Sequence, residues 1–200
     1  MIIQLHRFLP LTTAEGPGRR SCIWVQGCPI HCKGCGVPWT WNPKNGTRIT
    51  VDELWNKIVF CKQKHQTEGI TFLGGEPFEQ ATALAEIGKR AQSIGLSVMT
   101  FTGYYIEQIE KQNKPEWKAL YRVTDLLIDG PFEQDQPDKN RPWVGSTNQR
   151  FHFLTDRYKS LQKTLTNVPD RLEIRLKRDG TVEANGMVPS EVWNRIFKTL

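Results

Sequence analysis

Residues 27–41 read Gly-Cys-Pro-Ile-His-Cys-Lys-Gly-Cys-Gly-Val-Pro-Trp-Thr-Trp, and three of the chain's five cysteines fall there: Cys28, Cys32 and Cys35, spaced C-x3-C-x2-C. Thiolates are soft ligands that select zinc, copper(I) or iron–sulfur clusters. A structural zinc ion wants four ligands. His31 would have to be the fourth, from between Cys28 and Cys32, where a tight loop must fold back on itself. A four-iron cluster takes one cysteine per iron. Three cysteines therefore leave one iron without a protein thiolate, which is what a cluster needs if it is to bind a substrate. Disulfide pairing is the third reading, and a reducing compartment argues against it.

A second segment with chemical potential is Gly74-Gly-Glu-Pro77. Glycines at the end of a strand let a ligand approach the main chain, because no Cβ intervenes. Glu76 beside them is an acceptor able to hold an ammonium group. Taken alone, the segment is equally a tight turn with a helix-capping acid.

The elements around these segments alternate. Ile2–Phe8 reads as an opening strand, Thr12–Arg20 as a Gly/Pro loop, and Ser21–Gln26, with Ile23-Trp24-Val25, as the strand that delivers the chain to Cys28. Thr50 and Glu53 form a capping-box pattern, and Val51, Leu54, Trp55, Ile58 and Val59 follow at helical spacing to about Lys64. Cys61 in that helix and Cys22 in the strand are expected to pack as small hydrophobes. Further strands are expected at Gly69–Leu73, Leu96–Phe101 and Val123–Ile128, with helices at Glu79–Ile94 and Tyr104–Gln112 and one more turn at Trp117–Tyr121. Such alternation predicts βαβ units on a parallel sheet, with the chemistry at the strands' C-terminal ends. Phe132–Arg150 is an aperiodic loop of a length that is often functional. Arg178-Asp-Gly180 predicts a hairpin between 171–177 and 181–184, and a helix over Pro189–Leu200 is expected to close the chain.

The cysteine spacing is that of the radical S-adenosylmethionine (SAM) superfamily. With Glu15-Gly-Pro-Gly18 before it, Val25-Gln-Gly-Cys28 leading in and Thr40-Trp41 after it, the stretch resembles the activating enzymes of glycyl-radical enzymes. Phe101-Thr-Gly-Tyr104, Asp129-Gly-Pro-Phe132 and Gly145-Ser-Thr-Asn-Gln-Arg150 resemble segments of the anaerobic ribonucleotide reductase activases. The resemblance covers residues 10–155 or so and implies an α/β fold, an incomplete TIM-like βα barrel of parallel strands. Residues 1–200 would then be one radical SAM domain, with 156–200 as a C-terminal hairpin and helix extension.

The resemblance also implies chemistry. Cys28, Cys32 and Cys35 would hold a [4Fe–4S] cluster, and SAM would chelate the open iron through its amino and carboxylate groups. Reductive cleavage would give methionine and a 5′-deoxyadenosyl radical that takes hydrogen from a substrate. Gly74, Gly75 and Glu76 would meet the methionyl amino group. Most radical SAM proteins carry an aromatic residue just before the third cysteine; here it is Gly34, and Gly36-Val37 follow where the reductase activases have an aromatic and Asn. The adenine contact is therefore expected from main chain at Gly34–Gly36 or from Trp39. Thr102 and Asp129, at strand ends, are expected within reach of the ribose or substrate, and Asn148, Gln149 and Arg150 to pin the loop or meet a partner's main chain. The implied partners are a glycyl-radical enzyme, most of all an anaerobic ribonucleotide reductase, and a reductant such as flavodoxin or ferredoxin. Alternatives are a radical SAM enzyme with a peptide or small-molecule substrate, in the manner of the short 7-carboxy-7-deazaguanine synthases, and a non-catalytic zinc or iron–sulfur module.

Bulk properties agree with an ordinary soluble protein. The 200 residues carry a net charge of +6, spread along the chain without a Lys/Arg block, so nucleic acid is not an expected partner. No apolar run approaches membrane-span length and residues 1–20 lack the apolar segment of a signal peptide, so a cytoplasmic location is expected.

Overall fold

The computed structural model describes residues 1–169 and 171–186. Its centre is a seven-stranded sheet built from β1 (Ile2–Thr12), β2 (Arg20–Val25), β3 (Thr47–Thr50), β4 (Gly69–Gly74), β5 (Ser97–Phe101), β6 (Leu126–Asp129) and β7 (Arg150–Phe153), in the order β3-β1-β2-β4-β5-β6-β7. The expected parallel arrangement holds for the central four, β2, β4, β5 and β6. The flanking strands run the other way: β1 is antiparallel to β2 and β3, and β7 to β6.

Helices α1 (Val51–His65), α2 (Ala81–Ser93), α3 (Ile106–Gln112) and α4 (Pro115–Arg122) connect the strands. One face of the sheet, with Ile3, Ile23, Val25, Ile70, Phe72, Val98 and Leu127, packs against Leu54 and Ile58 of α1, Leu84, Ile87 and Ala91 of α2, and Trp117 and Leu120 of α4. Each large aliphatic or aromatic side chain buried this way contributes about 1.5–3 kcal/mol. The opposite face carries Leu9, Cys22 and Leu73 in one cluster and Met99, Leu126 and Ile128 in another. Trp143 and Val144 of the long loop cover the second cluster, with Tyr158, Leu161 and Leu165 from the 3-10 turns at Asp156–Lys163 and Leu165–Asn167.

The predicted capping box is present. Glu53 N–H donates to Thr50 Oγ1 at 3.1 Å, and Thr50 N–H donates to Glu53 Oε2 at 2.8 Å. Thr50→Ala is expected to cost about 1 kcal/mol, measurable as a shift in the denaturant midpoint at an unchanged slope. Cys22 and Cys61 are both buried, as expected of packing residues.

Several boundaries differ from those the sequence predicts. β1 extends through Pro10 to Thr12. The helix expected from Glu79 starts as a 3-10 turn at Pro77–Gln80 and becomes α-helical at Ala81, and the strand expected from Val123 starts at Leu126. No sequence signal predicts β3, β7 or the 3-10 turns. The hairpin is present as β8 (Leu172–Leu176) and β9 (Val182–Gly186), with Gly180 at φ +83° in its turn. The helix expected over 189–200 lies outside the described residues.

Candidate metal centre

The four parallel strands all end on one side of the molecule, and the site is made of the loops and turns that leave those ends. After β2, residues 28–41 form a loop stitched shut at its root. Gly27 N–H donates to Thr40 O at 2.7 Å and Cys28 N–H to Trp41 O at 3.0 Å. Gln26 adds two bonds from Nε2, to Trp39 O at 2.9 Å and Asn42 O at 2.8 Å. Sequence reasoning notes Gln26 only within a motif; a polar side chain ending an apolar strand beside Gly27 is the signal that could have found this role.

Cys28, Cys32 and Cys35 are half-buried free thiols on this loop. Burial pushes the Cys28 thiol up, while main-chain N–H groups of Ile30 and His31 pull it down and the Glu76 carboxylate adds to the rise. Cys32 behaves alike: burial raises it, the Phe132 N–H lowers it, and Cys35 and Glu76 raise it. Val37 N–H lies 3.5 Å from Cys35 Sγ. His31 stacks on Trp41, with ring centroids 4.5 Å apart. Gly34 and Gly36 are exposed, and Trp39 stands 58% exposed on the same loop.

The turn after β4 packs directly beneath. Gly75 N–H donates to Val25 O at 2.7 Å and Glu76 N–H to Gly27 O at 2.8 Å. A Cβ on Gly75 would stand 2.3 Å from Gly27 O, and Gly74 adopts φ +106°. Gly75→Ala must therefore push the root of the cysteine loop away. It is expected to reduce the iron bound after reconstitution severalfold, measured as iron per chain against the wild type.

Glu76 is 1% exposed. Its Oε1 accepts from Thr102 Oγ1 at 2.8 Å and Phe78 N–H at 2.9 Å, and its Oε2 from Gly103 N–H at 2.8 Å. Burial pushes its carboxyl up to about 7 against the pull of these three donors. Thr102, at the end of β5, is thus joined to the Gly74–Glu76 turn. The next residue, Gly103, touches the cysteine loop: a Cβ there would stand 2.5 Å from Ile30 Cδ1, so that side chain would have to turn aside.

Asp129, at the end of β6, is fully buried. It accepts from Arg150 Nε at 3.0 Å and Ile106 N–H at 2.8 Å, with His152 Nε2 3.0 Å away. Burial alone would raise its carboxyl, but His152, Arg150 and the Ile106 N–H outweigh it and hold it at about 2. Asn148 donates to Pro131 O at 2.8 Å, and Gln149 Oε1 accepts from Gly145 N–H at 2.8 Å, so both pin the long loop. That loop returns to the cysteines, since a Cβ on Gly34 would stand 2.7 Å from Gln134 Oε1.

Among the described residues, no three His, Cys, Asp or Glu side chains are gathered as a single metal ion requires. Three unpaired thiols on one loop, each offered main-chain N–H groups or lying beside one, are a donor set that fits a cluster with one cysteine per iron.

A family model described as a 4Fe-4S single cluster domain matches residues 14–152. The anaerobic ribonucleoside-triphosphate reductase-activating protein of Vibrio cholerae serotype O1 is 31% identical over 156 residues, spanning 75% of this chain and 97% of that protein. The chain belongs to the radical SAM activase family. As an activase it is an enzyme whose cofactors are a [4Fe–4S] cluster and SAM. Another relative, the pyruvate formate-lyase-activating enzyme of Clostridium pasteurianum, is 32% identical over 127 residues, 62% of this chain and 50% of its own. The crystal structure of QueE from Escherichia coli is similar at a TM-score of 0.43 and 19% identity, over 52% of the activase chain and 53% of its own. No helix among the described residues is long and apolar enough to cross a membrane.

Proposed function

We propose that this activase installs a glycyl radical on a partner enzyme, an anaerobic ribonucleoside-triphosphate reductase, in the cytoplasm, with electrons from a flavodoxin- or ferredoxin-type donor. The observation that carries the reading is the closure of the cysteine loop onto the Gly74–Glu76 turn through the 2.8 Å bond from Glu76 N–H to Gly27 O. It brings three soft ligands and a side-chain-free turn to one side of the sheet. A cluster held by Cys28, Cys32 and Cys35 would supply the electron for reductive cleavage of SAM, the chemistry by which the glycine hydrogen would be removed.

In this reading Cys28, Cys32 and Cys35 each hold one iron. Gly74 and Gly75, packed without side chains on Val25 and Gly27, present the turn's main chain to the methionyl amino group. The Glu76 carboxylate is committed to Thr102, Gly103 and Phe78, so it acts by fixing that turn. Thr102 and Asp129 hold the ends of β5 and β6 in register on the ribose and substrate side, and main chain at Gly34–Gly36 with Trp39 flanks the adenine. The edges of the sheet are β3 and β7; in this reading it is an incomplete barrel open between them, within one radical SAM domain whose core spans 10–155. The open side admits a protein segment.

Anaerobic reconstitution, then dithionite and SAM, is expected to yield 5′-deoxyadenosine. Adding the reductase should then produce a glycyl-radical signal in electron paramagnetic resonance. 5′-Deoxyadenosine without that signal would sink the partner assignment, and no 5′-deoxyadenosine would sink the chemistry.

A further inference from the structure

Three buried donors lack an acceptor among the described residues: Arg7 Nε and Trp24 Nε1 on the sheet face turned away from the helices, and Asn185 Nδ2 on β9. They belong to one cluster. Arg7 and Trp24 are cross-strand partners of β1 and β2, and the guanidinium carbon sits 4.9 Å from the indole centroid. Arg7 Nη2 donates to Asn185 Oδ1, so the Asn185 amide is used through its oxygen alone. A register shift in β1 between Leu5 and Arg7 turns Arg7 to this face, while Leu5 stays on the helix-covered side. Bulges re-aim side chains in this way near sites.

Among the described residues Arg7 has no carboxylate within ion-pair distance; Glu15, buried nearby and accepting from Gly186 N–H, feels the Arg7 charge without a direct contact. Arg7 Nε, the Trp24 indole N–H and the Asn185 amide N–H, left without acceptors on and beside a cationic guanidinium, call for an anionic acceptor. A carboxylate matches, with two oxygens able to accept up to four bonds in one plane. Trp24 is paired with Leu73, one position before Gly74, and precedes Cys28 by four residues. At about 3.3 Å per residue that is within about 13 Å of chain from the metal centre.

The β8–β9 hairpin reaches Arg7 through Asn185. Its described contacts with the body of the protein are polar: Glu173 accepts from Thr13 N–H at 2.7 Å, Arg175 donates to Leu11 O, Asn185 meets Arg7, and Gly186 N–H donates to Glu15 at 2.9 Å. None of its apolar side chains joins a core cluster of the described residues, and Ile174 and Leu176 are exposed. A two-stranded hairpin is marginal by itself, and every buried donor without an acceptor works against the closed position. The hairpin also lies beyond the matched residues 14–152.

We propose that the β8–β9 hairpin is a displaceable strap over a carboxylate site formed by Arg7 and Trp24, which a carboxylate on the incoming substrate segment occupies as Asn185 withdraws. Only the name of the substrate rests on the function proposed above. The test is hydrogen–deuterium exchange on the full-length, reconstituted chain with N-acetylglycylglycine, using its C-terminal amide as the control. At about 100 mM even a millimolar site is filled. The carboxylate is expected to speed exchange across 172–186 by about tenfold, with α1 and α2 unchanged, and the amide and SAM to have no such effect. Arg7→Met should abolish the response, and Asn185→Leu should give the fast hairpin rate without any probe. Slowed or unchanged hairpin exchange with the carboxylate would overturn the strap. An equal response to the amide or to SAM would overturn the carboxylate assignment. Loss of protection in α1 and α2 of Asn185→Leu would make the contact a support of the whole fold and overturn the proposal. Exchange reads no radical chemistry, so failed 5′-deoxyadenosine formation would sink the proposed function and leave this test standing.

Discussion

Cys32→Ala is expected to abolish 5′-deoxyadenosine formation, by at least about a hundredfold, equivalent to roughly 2.7 kcal/mol of barrier, while Cys61→Ala retains most of it. The two positions make a sharp contrast. Cys32 is a half-buried free thiol on the loop after β2, whereas Cys61 is 2% exposed inside α1. Each iron of a four-iron cluster needs its own ligand, so removing one of three protein thiolates leaves a second iron unheld. Removing a sulfur from the α1 core leaves a small cavity, and its cost appears as stability. Anaerobic reconstitution followed by chromatography of the nucleoside product measures both variants, with thermal melting as the fold control. Equal losses from the two substitutions would refute the ligand assignment.

The second large effect concerns Glu76. Glu76→Ala leaves the Thr102 hydroxyl, Gly103 N–H and Phe78 N–H without their acceptor in a buried site. At about 1–3 kcal/mol per unsatisfied group, the loss should be about 3 kcal/mol or more. Glu76→Gln keeps one acceptor oxygen and should cost clearly less. The two also differ from wild type in their response to pH. Burial raises the folded carboxyl from 4.5 to about 7. Between those values the folded chain holds a proton that the unfolded chain has released. Glu76's contribution is therefore fully present below about pH 4.5, falls as pH rises, and is lost above about pH 7, a span of about 3 kcal/mol. Denaturant titrations at about pH 5 and pH 8 should show this decline in wild type and its absence in Glu76→Gln. The same slope in both proteins would mean that Glu76 is ionised throughout.

The chemistry is legible in the sequence because it depends on short spacings. C-x3-C-x2-C, the Gly-Gly-Glu turn at a strand end and the Thr50–Glu53 cap are local patterns with local causes. The α/β alternation is legible for the same reason. The edges of the sheet are not. β3 is only Thr47–Thr50, and β7 is Arg150–Phe153 at the end of a polar loop. Both exist because a neighbouring strand offers unpaired main chain. The pairing of Asp129 with Arg150 and His152 is equally hidden. It joins β6 to β7 across 21 and 23 positions of sequence, and no periodicity marks it. Arg7 gives no signal either, because its turn to the inner face comes from a register shift in β1.

The bonds at the root of the cysteine loop, from Gly27 to Thr40 and from Cys28 to Trp41, carry a further consequence. They close the loop through main chain alone, and the apolar interior is assembled from strands and helices that include none of the three thiols, so the polypeptide is expected to keep its shape without inorganic sulfide. A zinc finger collapses when stripped by a chelator; this chain should instead survive as an intact, empty receptacle. Damage by oxygen would then be a repairable loss, mended by loading fresh iron into a scaffold that never came apart.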